Sequence, residues 1–289
     1  MNLALEFPTD GSAVPALSRK TPLVLAPFLG QTVLEHALAG LASEGVKRVR
    51  IEAGDQAEQI QRVVGQGEAW GLALEVSSAL GRQDGLAPAR VLTLDQLPQL
   101  PQQPLWRNYR DWFSAQQALM PVLARQRVGT REVSPGVFIG LRSRIAADAR
   151  MSGPCWIGAS VFVGPGAIIG PGTVIEDGSY VDAGAEIVGS IIGPQTYVGA
   201  FTEVRDSFAW GNELLHLDTG SLTKVADRFL LGELQVRRNR LGGLIDIIRN
   251  ASRRFVALTR DTKTRSSSRQ KTRLRALEEN LPATALPSE

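Results

Sequence analysis

Two histidines, one cysteine and a lysine near a lone glycine are where chemistry could begin in this 289-residue chain. His216, in "GNELLHLDTG", is a candidate general base, because an imidazole titrates near neutral pH. His36 falls inside "LEHALAGL", where Leu34, Ala37, Leu38 and Leu41 recur at helical spacing and make it a packed helix residue. Residues 6–25, "EFPTDGSAVPALSRKTPLVL", hold Gly11, Ser12 and Lys20. A bare amide, a hydroxyl and an ammonium are groups that a phosphate can use. Phe7, Pro8 and Asp10 work against that use: they add bulk, remove a donor and add negative charge. With one cysteine and two histidines no structural zinc site is expected. Asp84, Asp95 and Asp111 read as turn or cap residues rather than magnesium ligands, so no metal ligand is assigned.

The elements that must position these groups are clearest in the second half. From Ile139 an aliphatic residue recurs at every sixth position, through Ile145, Met151, Ile157, Val163, Ile169, Ile175 and Val181 to Ile187. One step shortens to five, and the series resumes at Ile192, Val198 and Val204. Two residues before each stands a mostly smaller one, from Val137, Ser143, Ala149 and Cys155 onward to Thr202. Residues two apart on a strand share a face, so both columns point inward. Turn pairs such as Pro165-Gly166 and Asp177-Gly178 fall between them. Short strand, corner, short strand with a period of six is the pattern of a parallel β-helix. It resembles the left-handed hexapeptide β-helix, in which three hexapeptides make one triangular coil. Twelve inward positions predict about four coils. Cys155 lies in the small inward column and is therefore a core residue, not a nucleophile. No histidine lies among residues 137–204.

The first half reads as strand and helix in alternation. A helix through Leu34–Leu41 closes at Gly45, "KRVRIEAG" alternates as a strand, Asp55 caps a helix running to Val64, and "LALEVSS" is a further strand. This order begins an α/β sheet. It resembles the opening of the nucleotide-sugar pyrophosphorylases (sugar-1-phosphate nucleotidyltransferases). "LGQTVLEHALAGLASEGV" and "VRIEAGDQAEQIQ" follow that family's first helix and the strand and helix after it, and Pro22-Leu23 sits at its Pro-Lys-Pro-Leu element. "PLWRNYRDWFSAQQALM", residues 104–120, resembles the helix that leads into the family's C-terminal β-helix. Trp106, Tyr109, Trp112 and Phe113 are expected to fasten this helix to both domains.

The resemblance covers residues 1–85, 104–126 and 133–210. It implies a nucleotide site at Gly11, Ser12 and Lys20, with Lys20 a candidate catalytic residue and Mg²⁺ the cofactor of an active enzyme. Ser12 stands where the family has an arginine, and Thr21 where it has a lysine. The segment that carries the family's sugar pocket and metal aspartate is missing. The expectation is a partial, Rossmann-like nucleotidyltransferase domain over 1–103, with its phosphate loop impaired. A linker helix over 104–128, a left-handed β-helix over 129–232 and a tail over 233–289 complete the layout.

The tail differs in charge from the rest. Residues 233–289 hold 13 Lys/Arg against 6 Asp/Glu, a net of +7; the chain totals +3, so the first 232 residues carry −4. The basic excess belongs to the tail, which argues against a nucleic-acid surface over the body. Leu244 and Ile248 share a helical stripe with Arg249, Arg253 and Arg254 interspersed, so residues 241–258 could cap the solenoid or lie on an anionic membrane. No apolar run has the roughly 18–20 residues of a membrane span, and the N-terminus lacks a signal pattern. The expected location is the cytoplasm, with the inner membrane face within reach of the tail.

Three functions are expected from these features. The first is a pyrophosphorylase-related, catalytically impaired protein of nucleotide-sugar or surface-polysaccharide metabolism. It would bind a nucleotide sugar and regulate or scaffold an active nucleotidyltransferase or a further copy of itself. The second is a hexapeptide sugar acyltransferase using acetyl-CoA, with His216 as base. The third is a structural, oligomerising or membrane-attached module.

Overall fold

The computed structural model describes residues 2–7, 11–53, 56–78, 90–93 and 105–234. The tail residues Leu244, Ile248, Arg249, Arg253 and Arg254 lie outside the described residues, as do Asp55, Asp84 and Asp95. The described residues up to Glu68 and from Leu72 onward form one unit.

Its first part runs β1 (Asn2–Glu6), α1 (Pro15–Lys20), β2 (Pro27–Phe28), β3 (Gln31–Thr32), α2 (Val33–Ser43), β4 (Arg48–Glu52), α3 (Ala57–Val64), β5 (Ala73–Ser77) and β6 (Arg90–Thr93). Four of these strands form a sheet of order β5-β4-β1-β6, parallel throughout. The central strand β1 is covered on both faces, with Leu3, Ala4 and Leu5 all buried, whereas β4 buries only Val49 and Ile51 on one face. β2 and β3 make a small hairpin that the sequence pattern did not announce. α2 starts with a capping box: the Thr32 hydroxyl accepts from Glu35 N at 3.2 Å, and Glu35 Oε2 accepts from Thr32 N at 2.8 Å. Its expected stripe, Leu34, Ala37, Leu38 and Leu41, is buried, and the helix ends ahead of Gly45.

The second part is a parallel β-helix of the left-handed hexapeptide type. Strands stack at a separation of 18 residues, three hexapeptides, as in Val137↔Cys155↔Thr173. After the five-residue step the separation becomes 17, as in Val181↔Val198 and Ile187↔Val204. The inward columns from Cys155 to Val198 are buried throughout. Burying each Val or Ile contributes roughly 1.5–3 kcal/mol relative to leaving it in water. Hydroxyls in the small column are tolerated because they are paired: Thr173 Oγ1 donates to Ile187 O at 3.1 Å and Ser179 Oγ to Gly193 O at 2.9 Å. Cys155 is buried among them, and burial pushes its thiol up to about 12, so it is no nucleophile at neutral pH.

One outward column is also apolar. Phe138, Trp156, Val174, Ile191 and Phe208 stack on a single face and are all buried. Helix α4 (Tyr109–Gln126) covers part of that face: it lies against Cys155–Ile157, and Gln117 Nε2 donates to Gly172 O at 2.9 Å. Trp106, Tyr109, Trp112 and Phe113 are buried, and Phe28 of β2 meets the Trp112 ring edge-on at 5.2 Å. The linker helix thus joins the two parts through its aromatics. Beyond the last coil, Ser207–Trp210 pairs antiparallel with Glu213–His216, and Leu231–Glu233 pairs back on Thr196–Val198.

Candidate functional site

Each predicted phosphate-site residue has structural partners. Gly11 is pressed against Ser18: a Cβ at Gly11 would lie 2.2 Å from Ser18 Cβ. Gly11 O accepts from Val14 N at 3.0 Å, which makes a closed turn rather than an open loop. Ser12 is exposed. At the start of α1, Ala16 N donates to the Tyr109 hydroxyl at 2.8 Å, so one of the amides that an anion could use is already engaged. Lys20, at the other end of α1, turns to the β-helix. Its ammonium donates to Trp210 O at 2.8 Å, lies 3.5 Å from Glu213 Oε2, and sits 5.2 Å from the centre of the Trp210 ring. Asp111 stands in the first turn of α4, where its amide donates to the side chain of the capping residue Asn108 and its carboxylate accepts from Arg107.

Lys20 and His216 are nevertheless brought to one element. Glu213, Lys20's partner, begins the strand that His216 ends. Three residues along a strand span about 10 Å and place the two side chains on opposite faces. His216 is exposed, and its backbone N–H donates to Ser221 O at 3.0 Å. Two residues on, Asp218 accepts from Arg110 Nε at 2.6 Å. The hydrogen bond from Arg110 holds the Asp218 carboxyl below the usual carboxylate range, with the nearby His216 lowering it further. An exposed imidazole is a group that can accept a proton from a substrate. Among the described residues no group of three His, Cys, Asp or Glu side chains could hold a metal ion.

The family described as bacterial transferase hexapeptide (six repeats) matches residues 154–189. The solenoid is a hexapeptide repeat. No curated protein matches the chain. Among solved structures, a mutant of perosamine N-acetyltransferase from Caulobacter crescentus, in complex with CoA and GDP-perosamine, is 12% identical. It covers 77% of this chain and 96% of that chain, at a TM-score of 0.15. A second mutant of the same enzyme is 13% identical over the same shares, also at 0.15. Similarity at that level fixes neither fold nor chemistry. None of these comparisons supports the nucleotidyltransferase resemblance of the first half. Among the described residues no helix is long and apolar enough to cross a membrane.

Proposed function

We propose that the chain is a hexapeptide-repeat transferase that moves an acyl group from a coenzyme A thioester to a sugar, with His216 as general base. What supports this reading is the transferase repeat over residues 154–189, joined to an exposed imidazole on the first hairpin beyond the coils. His216 would take the proton from the attacking sugar amine or hydroxyl. The new bond forms at the thioester carbonyl, the carbon–sulfur bond breaks, and the coenzyme A thiolate leaves and is protonated. A second reading, an α/β part that holds a nucleotide sugar without turning it over, is favoured by the sheet order. The strands after β1 step to one side of it and β6 lies on the other, and ligands of open α/β sheets bind at such a switch point.

Thermal shift with acetyl-CoA, with nucleotide sugars, and with nucleoside triphosphates plus Mg²⁺ separates the two. Stabilisation by acetyl-CoA, with thiol release that depends on an added amino sugar, is expected. His216→Ala should lower that release by roughly a hundredfold while leaving the melting temperature in place. A shift with nucleotide sugars alone, without thiol release, would support the second reading. No response to acetyl-CoA and full activity in His216→Ala are the results that would sink the first.

A further inference from the structure

One corner of the solenoid departs from its own pattern. Gly140, Gly158, Glu176 and Gly193 occupy equivalent positions in four successive coils, so Glu176 stands where the coils on either side of it have glycine. Its side chain is buried, only 1% exposed, and Oε2 accepts from Gly30 N at 2.6 Å. Gly30 and Leu29 form the tip of the β2–β3 hairpin, both with left-handed backbone at φ 77 and 52. Leu29 is itself buried, so the hairpin tip is a plug set against the β-helix. Arg127, just past α4, completes the seat. Its guanidinium donates to Leu29 O at 2.8 Å and to Asp177 Oδ2 at 3.1 Å, and lies 5.4 Å from the centre of the Trp156 ring. Any side chain at Gly30 would enter that guanidinium, with a Cβ 1.5 Å from Arg127 Nη1.

We propose that Glu176 and the β2–β3 hairpin tip form a proton-operated joint, seated while the Glu176 carboxyl is neutral and loosened when it ionises. The geometry supplies the reason. Oε1 of Glu176 is buried without a hydrogen-bond partner, so a carboxylate there has only backbone amides of the hairpin tip, Gly30 N first among them, in place of the several bonds an ion needs. The charged groups that act on it are Asp177, its own neighbour, which disfavours ionisation, and Arg127 from the end of α4, which favours it. The hairpin contributes only the amides of Gly30 and Leu29. Burial first, and then Asp177, push the carboxyl up to about 8. Once the joint opens, the carboxyl returns to the ordinary value of 4.5. The closed state therefore binds the proton more tightly, and closure is favoured in acid and lost as pH rises from about 4.5 to about 8. Above that window both states are ionised and the loss levels off.

Hydrogen exchange of the amides of residues 26–33, corrected for intrinsic chemical exchange, tests this on the full chain. Wild-type protection should fall as pH rises through neutrality, by as much as roughly tenfold per unit, and flatten above about pH 8. Glu176→Gln, which keeps an acceptor for Gly30 N but cannot ionise, should show no such fall. An equal fall in Glu176→Gln, or none in the wild type, overturns the joint. Should Glu176→Gln fail to fold, infrared spectra of the wild type decide. A solvent-shielded carboxylic-acid band at neutral pH that disappears at higher pH supports it, and the absence of that band overturns it.

Discussion

Ile169→Asp is expected to unfold the coils, with loss of strand circular dichroism and of any cooperative melt. Ile169 is buried in the inward column, in register with Met151 below and Ile187 above. Its surroundings are Val, Ile, Met, Ala and Cys side chains, none of which can offset a carboxylate. The substitution removes the burial of an isoleucine and leaves an unpaired buried charge, together on the order of 5 kcal/mol or more. That is comparable to the whole stability of many domains. The adjacent Ile168 points outward and is 37% exposed, so Ile168→Asp should leave the melt nearly unchanged. If both variants melt like the wild type, the inward register is wrong.

The inward register was legible in the sequence because it repeats. A period-six alternation over twelve positions leaves no other placement for Ile169 or Cys155, and the five-residue step from Ile187 to Ile192 reappears as a coil of 17. The apolar outward column was present too, as Phe138, Trp156, Val174 and Ile191, the middle residues of every third hexapeptide. It was missed because one residue in eighteen is invisible to a search at period six. The joint could not have been read this way. Glu176 stands out only once the glycine corners of other coils are aligned with it, and its partners Gly30 and Arg127 lie 146 and 49 positions away in the chain. The phosphate-site reading rested on local residue types and on the family resemblance, yet neither says where a side chain points. Lys20 is four bonds of flexible stem, and the structure sends its ammonium to Trp210 and Glu213, not to Gly11. The α/β sheet of the first half was expected from its alternating elements, whereas the nucleotidyltransferase resemblance laid over it gained no support.

Trp156→Ala should separate the two layers that the outward column joins. Trp156 is wholly buried between its strand neighbours Phe138 and Val174, with α4 packed on its strand and Arg127 over its ring. Truncating a buried tryptophan leaves a large cavity and costs about 3–5 kcal/mol. The loss falls on one side only. Cys155 and Ile157, its neighbours in the strand, point into the coil and keep their contacts. Hydrogen exchange should therefore rise in α4 and in the β2–β3 hairpin, while the strands from Thr173 to Val204 stay protected. A single melt should split into two, the earlier one belonging to the α/β part. One unchanged cooperative transition would mean that the column does not couple the parts. Trp156→Phe separates the ring from its N–H group, which has no hydrogen-bond partner in the buried site. Removing that unpaired donor offsets part of the lost ring volume. The Phe variant should accordingly keep a single transition and lose far less stability than the Ala variant. If the two variants lose the same stability, the ring's contact with Arg127 and α4 contributes nothing to holding the parts together.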